Sequence, residues 1–265
     1  MRDRTVVIRG GGDLGSGVAL RLWRCGFLVV ILERPEPLAV RRTVAFSEAV
    51  YDGTATVEEA AGRRCLPGEA IGVARLGAIP VVVDPGGTTV RIHRPGVLVD
   101  AILAKVNTGT ALDLAPLVIG LGPGFFAGDT VHAVVETNRG PDLGRVIWKG
   151  AAEPNTGTPG LVSGVGHERV LRAPAAGALR TTAHIGEIVG EGDTIAEVEG
   201  QPVSAPFRGL LRGLLRDGAR VATGMKVGDL DPRLDPRVCE HVSDKALAVA
   251  GGVLEAILSH DVKRG

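Results

Sequence analysis

Short, nearly continuous apolar runs punctuate the first 150 residues: TVVIR (5–9), LVVILE (28–33), IPVVVD (79–84), PLVIGL (116–121), TVHAVVE (130–136) and GRVIW (144–148). Runs of this length bounded by turn residues predict strands, and their lack of alternation predicts burial on both faces. The segment between the first two carries apolar residues at helical spacing, so the chain reads as strands alternating with helices, the rhythm of a parallel sheet covered by helices. An α/β domain is expected over residues 1–160. Near the other end, VSDKALAVAGGVLEAILSH (242–260) places Ala246, Val249, Val253, Leu254 and Ile257 on one stripe behind Ser243. That pattern predicts a capped C-terminal helix docked on the body of the protein.

From about Val170 the composition changes, and the chain repeats itself at an offset of 32 residues. Ala173, Pro174, Gly177, Leu179, Arg180, Gly186, Val189 and Gly192 return as Ala205, Pro206, Gly209, Leu211, Arg212, Gly218, Val221 and Gly224. Two halves that cannot each bury an apolar face predict a small β-sandwich over 165–232, followed by a closing segment, 233–265. The repeat resembles the biotinyl/lipoyl or hammerhead barrel, which presents a modifiable lysine in the hairpin between its halves. Here that hairpin, EVEGQPVSAP (197–206), has no lysine, and Lys226 falls in the closing strand of the second half. A lipoyl or biotin carrier role is disfavoured.

Composition narrows the function classes. With 265 residues and 45% hydrophobic content the chain can bury a substantial core. Thirty basic and thirty acidic side chains cancel, so no global field would hold nucleic acid. The first apolar run is far shorter than the roughly 20 residues a bilayer crossing needs, so no membrane association and a cytoplasmic location are expected. Cys25, Cys65 and Cys239 form no CxxC pair or Cys/His cluster, so no metal site is expected and buried free thiols are.

The first loop carries the clearest chemistry. Gly10, Gly12 and Gly15 satisfy G-x-G-x-x-G between a predicted strand and a predicted helix, the context of a Rossmann-like nucleotide site. Gly10 would allow the turn, Gly12 would let backbone N–H groups reach a pyrophosphate, and Gly15 would let helix and sheet approach. Glu33 ends the next strand, where a carboxylate can accept ribose hydroxyls, which favours NAD over NADP although Arg34 adjoins it. Asp13 puts a carboxylate inside the loop, where it also suits the positive end of a helix, and Arg9 can offset it. The alternative is a tight turn and nothing more.

A second glycine-rich loop, with Gly122 and Gly124, follows another buried strand, and two such loops beyond strand ends can face one crevice. His132 and Glu136 share one side of the next strand, with Arg139 just after it, a set with acid/base or anion-binding potential. Arg41 and Arg42 suit phosphate or carboxylate recognition, or a solvated helix face. Asp100 and Lys105 interrupt an apolar stretch, as site residues or as a structural ion pair. The segment EPNTGTPG (153–160) reads as a linker whose polar groups can close over the crevice.

RGGGDLGSGVALRL, RRTVAFSEAVYDG, VDAILAK, GLGPGFFAGDTVHAVVETNRG with LGRVI, PNTGTPG and GDLDPR occur in that order along the chain. Together they resemble the selenium-dependent molybdenum hydroxylase system proteins of the YqeB type, with similarity to XdhC-type accessory proteins. The resemblance implies a maturation role toward a client molybdenum hydroxylase, a Rossmann-like domain, and a nucleotide-type ligand: NAD or a dinucleotide form of the molybdenum cofactor, with selenium possible. It leaves the reaction undefined and a homo-oligomer open. The family motif carries histidine where this chain has Pro141, and none of the three cysteines sits in these motifs. Two other readings stand beside it: an NAD-dependent oxidoreductase acting on a small metabolite, and a non-catalytic scaffold whose β-barrel docks the client.

Overall fold

The computed structural model describes residues 5–155, 157 and 164–264. The chain forms two compact units: residues 1–37, 45–155 and 242–265 make one, and residues 38–44 with 156–241 make the other.

The first unit is built on a nine-stranded sheet. Its strands are β1 (Thr5–Arg9), β2 (Leu28–Glu33), β3 (Thr54–Val57), β4 (Ala60–Cys65), β5 (Ile79–Val83), β6 (Val97–Asp100), β7 (Leu117–Leu121), β8 (Ala133–Val135) and β9 (Val146–Ile147). The spatial order is β3-β4-β5-β2-β1-β6-β7-β8-β9, with every pairing from β4 to β8 parallel and only the two edge strands antiparallel. Helices α1 (Asp13–Arg24), α2 (Ala49–Asp52), α3 (Ala70–Arg75), α4 (Thr88–His93) and α6 (Asp244–Arg264) belong to this unit; the short α5 (Arg237–Glu240) lies in the other.

Except for GRVIW, whose Val146 and Ile147 are half-buried in the edge strand β9, the apolar runs are buried on both faces. Val7, Val30, Val82, Leu98, Val118 and Val134 pack on one side with Ala70 of α3 and Val90 of α4. Their neighbours in sequence, Ile8, Ile31, Val99 and Ile119, are equally buried and point the other way by the two-residue period of a strand. The β3–β4 hairpin was not expected, because TATV and AAGRRC carry little apolar character, and at the sheet edge little is required. The C-terminal helix starts as expected: the Ser243 hydroxyl accepts the Ala246 amide at 3.1 Å. Ala246, Val249, Val253 and Ile257 are buried, while Leu254 is half-buried. Gly17 of α1 permits the docking, since a Cβ there would come within 2.7 Å of the Ala246 Cβ. No helix among the described residues is long and apolar enough to cross a membrane.

Asp84 caps α4, accepting the Thr88 and Thr89 amides at 2.9 and 2.6 Å. Burial pulls its carboxyl upward, but these amides outweigh burial and hold it below the ordinary range. The carboxylate therefore contributes stability above the unfolded-state pKa of about 4, and that contribution is lost as pH falls through the lower folded value. Asp84→Ala is expected to cost about 1–2 kcal/mol at pH 7. In paired denaturation curves the difference should shrink toward zero as the pH is lowered below about 4.

The second unit pairs two four-stranded sheets. Its strands are β10 (Val170–Arg172), β11 (Gly177–Thr181), β12 (Ile188–Val189), β13 (Thr194–Val198), β14 (Gln201–Ser204), β15 (Gly209–Leu214), β16 (Arg220–Val221) and β17 (Lys226–Asp231). The sheets are ordered β10-β17-β15-β12 and β14-β13-β11-β16, and the 32-residue offset maps one onto the other. The pairings reciprocate as a two-fold relation requires: Gly177↔Val221 answers Gly209↔Val189. Likewise the Gly224 amide donates to the Ala173 carbonyl, and the Gly192 amide to the Ala205 carbonyl, both at 2.8 Å. The shared core uses repeat-related pairs, Leu179 with Leu211, Ile195 with Val227 and Val198 with Leu230. The hairpin between β13 and β14 turns on Glu199 and Gly200, both at positive φ (49° and 73°).

Two boundaries differ from the sequence reading. Residues 38–44 fold with the repeat unit, and residues 242–265 fold with the first, so the closing segment divides at about residue 241. Cys239 is buried and Cys65 half-buried, its thiol pushed up to about 11 by burial. Cys25, expected to be buried, is exposed, because it falls on the C-cap of α1 just before the Gly26 turn.

Candidate functional site

The three fingerprint glycines do different physical work. Gly10 has φ +97°, and a Cβ there would lie 2.8 Å from the Ala101 carbonyl oxygen. Gly15 faces the turn it follows: its Cβ would fall 2.0 Å from the Gly10 carbonyl oxygen. Gly12 is different, being the N-cap of α1 in extended conformation with open space around its Cβ position and no side chain capping the helix. The loop is braced from behind. The Ser47 amide and the Ser16 hydroxyl both donate to the Gly11 carbonyl, at 2.9 and 2.8 Å, and Ser16 in turn accepts the Phe46 amide.

Beyond the carboxyl ends of β1, β6, β7 and β8 lies a cavity of about 190 Å³, lined by Leu14, Leu103, Lys105, Leu121, Pro123, Thr137, Asn155 and Lys245. β1 sits between β2 and β6, so successive connections diverge to the two sides of it, the place where open parallel sheets bind ligands. The second glycine loop reaches the same cavity through tight approaches. A Cβ on Gly122 (φ +73°) would meet the Thr137 hydroxyl oxygen at 2.4 Å, and one on Gly124 (φ +109°) would meet the Lys105 carbonyl carbon at 2.9 Å.

Lys245 enters from the first turn of α6, where a cation opposes the helix dipole. Burial depresses its ammonium, the charge of Arg139 depresses it further, and Asp13 and Glu136 oppose them. Arg139 itself grips Asp244 through two bonds of 2.9 and 2.8 Å. An anion beside Lys245 would relieve both the dipole and the Arg139 field.

The structure redistributes the other expected site residues. Glu136 is 2% exposed and its carboxylate is spent on backbone: Oε1 accepts the Thr137 and Asn138 amides at 2.6 Å each, and Oε2 accepts the Glu153 amide at 2.7 Å. It positions the cavity wall and is not an acid or base facing the cavity. His132 and Glu136 lie at the two opposite ends of β8, so the expected pair does not form. Its Nδ1 accepts the Val118 amide at 3.0 Å, and its ring meets His260 edge-on.

Asp100 and Lys105 part in the same way. Asp100 accepts the Thr110 hydroxyl at 2.5 Å and pairs with Arg9 at 3.3 Å, its register partner on β1, while Lys105 is exposed at the cavity. Arg9 is therefore engaged by Asp100. Arg41 and Arg42 belong to the second unit, where they bond the Val238, His241 and Leu214 carbonyls at 2.8–2.9 Å. Peptide carbonyls accept from both guanidinium groups. Glu33 accepts the amides of Gly11 and Arg34, each at 2.8 Å, so its two oxygens hold the loop that a ribose would share. Of EPNTGTPG, only residues 153–155 and 157 lie among the described residues, and Asn155 lines the cavity. Lys245, Thr137 and Leu14 were missed. The signal for Lys245 was present: a lysine two residues after a serine N-cap is electrostatically misplaced unless something anionic faces it.

No family model matches the chain. Over 254 residues, 96% of this chain, it is 51% identical to "Uncharacterized protein YqeB" of Escherichia coli K12. This chain is similar to YqeB along nearly its whole length. It spans 47% of YqeB, so the longer protein carries about as much sequence again. Solved structures are much more distant. An aspartoacylase family protein of Mesorhizobium loti is 12% identical, with coverage of 85% and 84% of the two chains and a TM-score of 0.28. The ectoine utilization protein EutE of Ruegeria pomeroyi is 14% identical, with coverage of 85% and 56% and a TM-score of 0.23. Scores this low carry no argument about fold or chemistry.

Proposed function

We propose that the first unit binds the phosphate portion of a nucleotide-type ligand in the crevice between the two glycine loops, and that the chain serves as an accessory protein in molybdenum hydroxylase maturation. One observation carries the binding proposal: an uncapped helix start and the side chains of Lys105 and Lys245 flank one cavity at the divergence point of a parallel sheet. Backbone N–H groups at a helix start and paired ammonium groups are the standard means of holding phosphate. The maturation role rests on the ordered motif set and on the likeness to YqeB.

A cavity of about 190 Å³ accommodates a phosphate group rather than a whole dinucleotide, so the remainder of the ligand lies outside it. The bond between Glu33 and the Gly11 amide weighs against ribose recognition by Glu33 in any of the dinucleotide ligands, because a ribose would compete with the loop's own support. Among the dinucleotides the molybdenum-cofactor form is favoured by the ordered motif set alone. Backbone amides at Gly12 and the two lysines would hold its pyrophosphate, while the cofactor supplies any redox chemistry. No cysteine lines the cavity, so selenium transfer through a thiol of this site is not part of the proposal. Titration with a cytosine dinucleotide checks the lysine assignment: Lys245→Met is expected to weaken binding about tenfold and to flatten its salt dependence. Unchanged affinity would remove Lys245 from the site.

A further inference from the structure

The repeat in the second unit supplies an internal comparison, because whatever the fold itself requires should appear in both halves. In the first half Arg180 pairs directly across from Glu197 on regular strands, and Arg180 is exposed. Their counterparts 32 residues on are Arg212 and Asp229, and these are buried. The change is made by one extra residue: the register of β15 on β17 jumps from Leu211↔Leu230 to Gly213↔Asp229, so Arg212 is the bulged residue. A bulge re-aims the side chain it carries. A further irregularity, at Val227 on β17, occurs in both halves, but the residue before it is Thr194 in the first and Lys226 in the second.

Asp229 is thereby surrounded by cations. Its Oδ1 lies 2.6 Å from Arg169 Nη1 and 3.5 Å from Lys226 Nζ, and its Oδ2 lies 3.6 Å from Arg212 Nη1. The side chains of Arg169, Arg212 and Asp229 are 11%, 9% and 4% exposed, while Lys226 is 40% exposed and marks the way in. Asp231, the next carboxylate on β17, is taken by Arg233 at 2.6 Å. Three cations thus surround Asp229, with Arg212 acting on Asp231 as well, and the buried Nε of Arg169 has no hydrogen-bond partner. Keeping charges of one sign together away from water costs several kcal/mol unless an opposite charge answers them. The Lys226 ammonium registers the excess, depressed by burial and further by Arg169 and Arg212, against the pull of Asp229.

We infer that Arg169, Arg212 and Lys226 form a binding site for a phosphate-class oxyanion on the repeat unit, entered beside Lys226. The unpartnered Nε of buried Arg169 and the half-exposed Lys226 ammonium are donors open to an anion, and guanidinium groups offer the paired donors that a tetrahedral oxyanion accepts. This site belongs to a different unit from the nucleotide crevice and stands or falls separately.

The test is calorimetric titration of the whole chain with inorganic phosphate at constant ionic strength. In a Lys245→Met background, which removes the crevice's own phosphate contact, saturable binding is expected to remain, weakened about tenfold or more by Lys226→Met and retained by Lys226→Arg. Reaction of wild-type protein with an amine-directed reagent gives a second readout that needs no variant. Phosphate, but not chloride, should protect Lys226 as read by peptide mass spectrometry. Absence of binding in the Lys245→Met background, binding there undiminished by Lys226→Met, or an unprotected Lys226 would overturn the site.

Discussion

Gly15→Ala is expected to destabilise the protein by more than about 3 kcal/mol and to lower its Tm by about 6 °C or more, although alanine is ordinarily the better helix former. The Cβ would stand 2.0 Å from the Gly10 carbonyl oxygen and 3.3 Å from the Ala101 Cβ. Relief requires lifting α1 off the ends of β1 and β6, and the loop between them would move with it. Gly72 in α3 provides the contrast, since nothing lies within 4 Å of its Cβ position. Gly72→Ala should stabilise by up to about 1 kcal/mol. Thermal unfolding of the two variants decides the matter: equal and small effects would mean that α1 does not approach β1 as closely as described.

Glu136→Gln carries the second large effect, about 3 kcal/mol of destabilisation. Three backbone N–H groups converge on the carboxylate, and a glutamine turns one of its acceptor oxygens into a donor that faces an amide. The loss should be local before it is global. Thr137 and Asn155 line the cavity, and Glu136 ties the turn after β8 to the segment around Glu153. Hydrogen exchange in the variant should accelerate at Thr137, Asn138 and Glu153 first. Retained protection at all three, with lost activity in a client assay, would return Glu136 to the role of acid or base.

The contrast between what the sequence made legible and what it hid has a physical basis. Strands buried on both faces declare themselves as apolar runs, and β1, β2, β5 and β7 lie where those runs predict. The edge hairpin of β3 and β4 did not, because its edge position asks for little apolar character. The 32-residue repeat was legible because both halves fill the same core positions, as with Leu179 and Leu211. The glycine loop could be located from its spacing, but spacing cannot say which acceptor takes a given amide. Glu33, Glu136, Asp100 and Arg41 all have the residue types of a site, and each is engaged by partners distant in sequence. The departure of Arg212 from Arg180 is invisible in the sequence, where both read as LR, since it depends on a bulge.

The phosphate crevice proposed between the start of α1 and Lys245 is open to one direct test. Gly12 is the informative position, because its backbone is extended, space surrounds its Cβ position, and an aspartate there would cap α1 as well as a glycine does or better. Calorimetric titration of wild-type protein and Gly12→Asp with NAD, NADP and a cytosine dinucleotide is the direct measurement. Saturable binding by wild type is expected, strongest for the cytosine dinucleotide, with a loss of at least about thirtyfold in a Gly12→Asp variant whose Tm is unchanged or raised. Wild-type binding that persists undiminished in the folded variant, or no binding to any of the three, would contradict the proposed crevice.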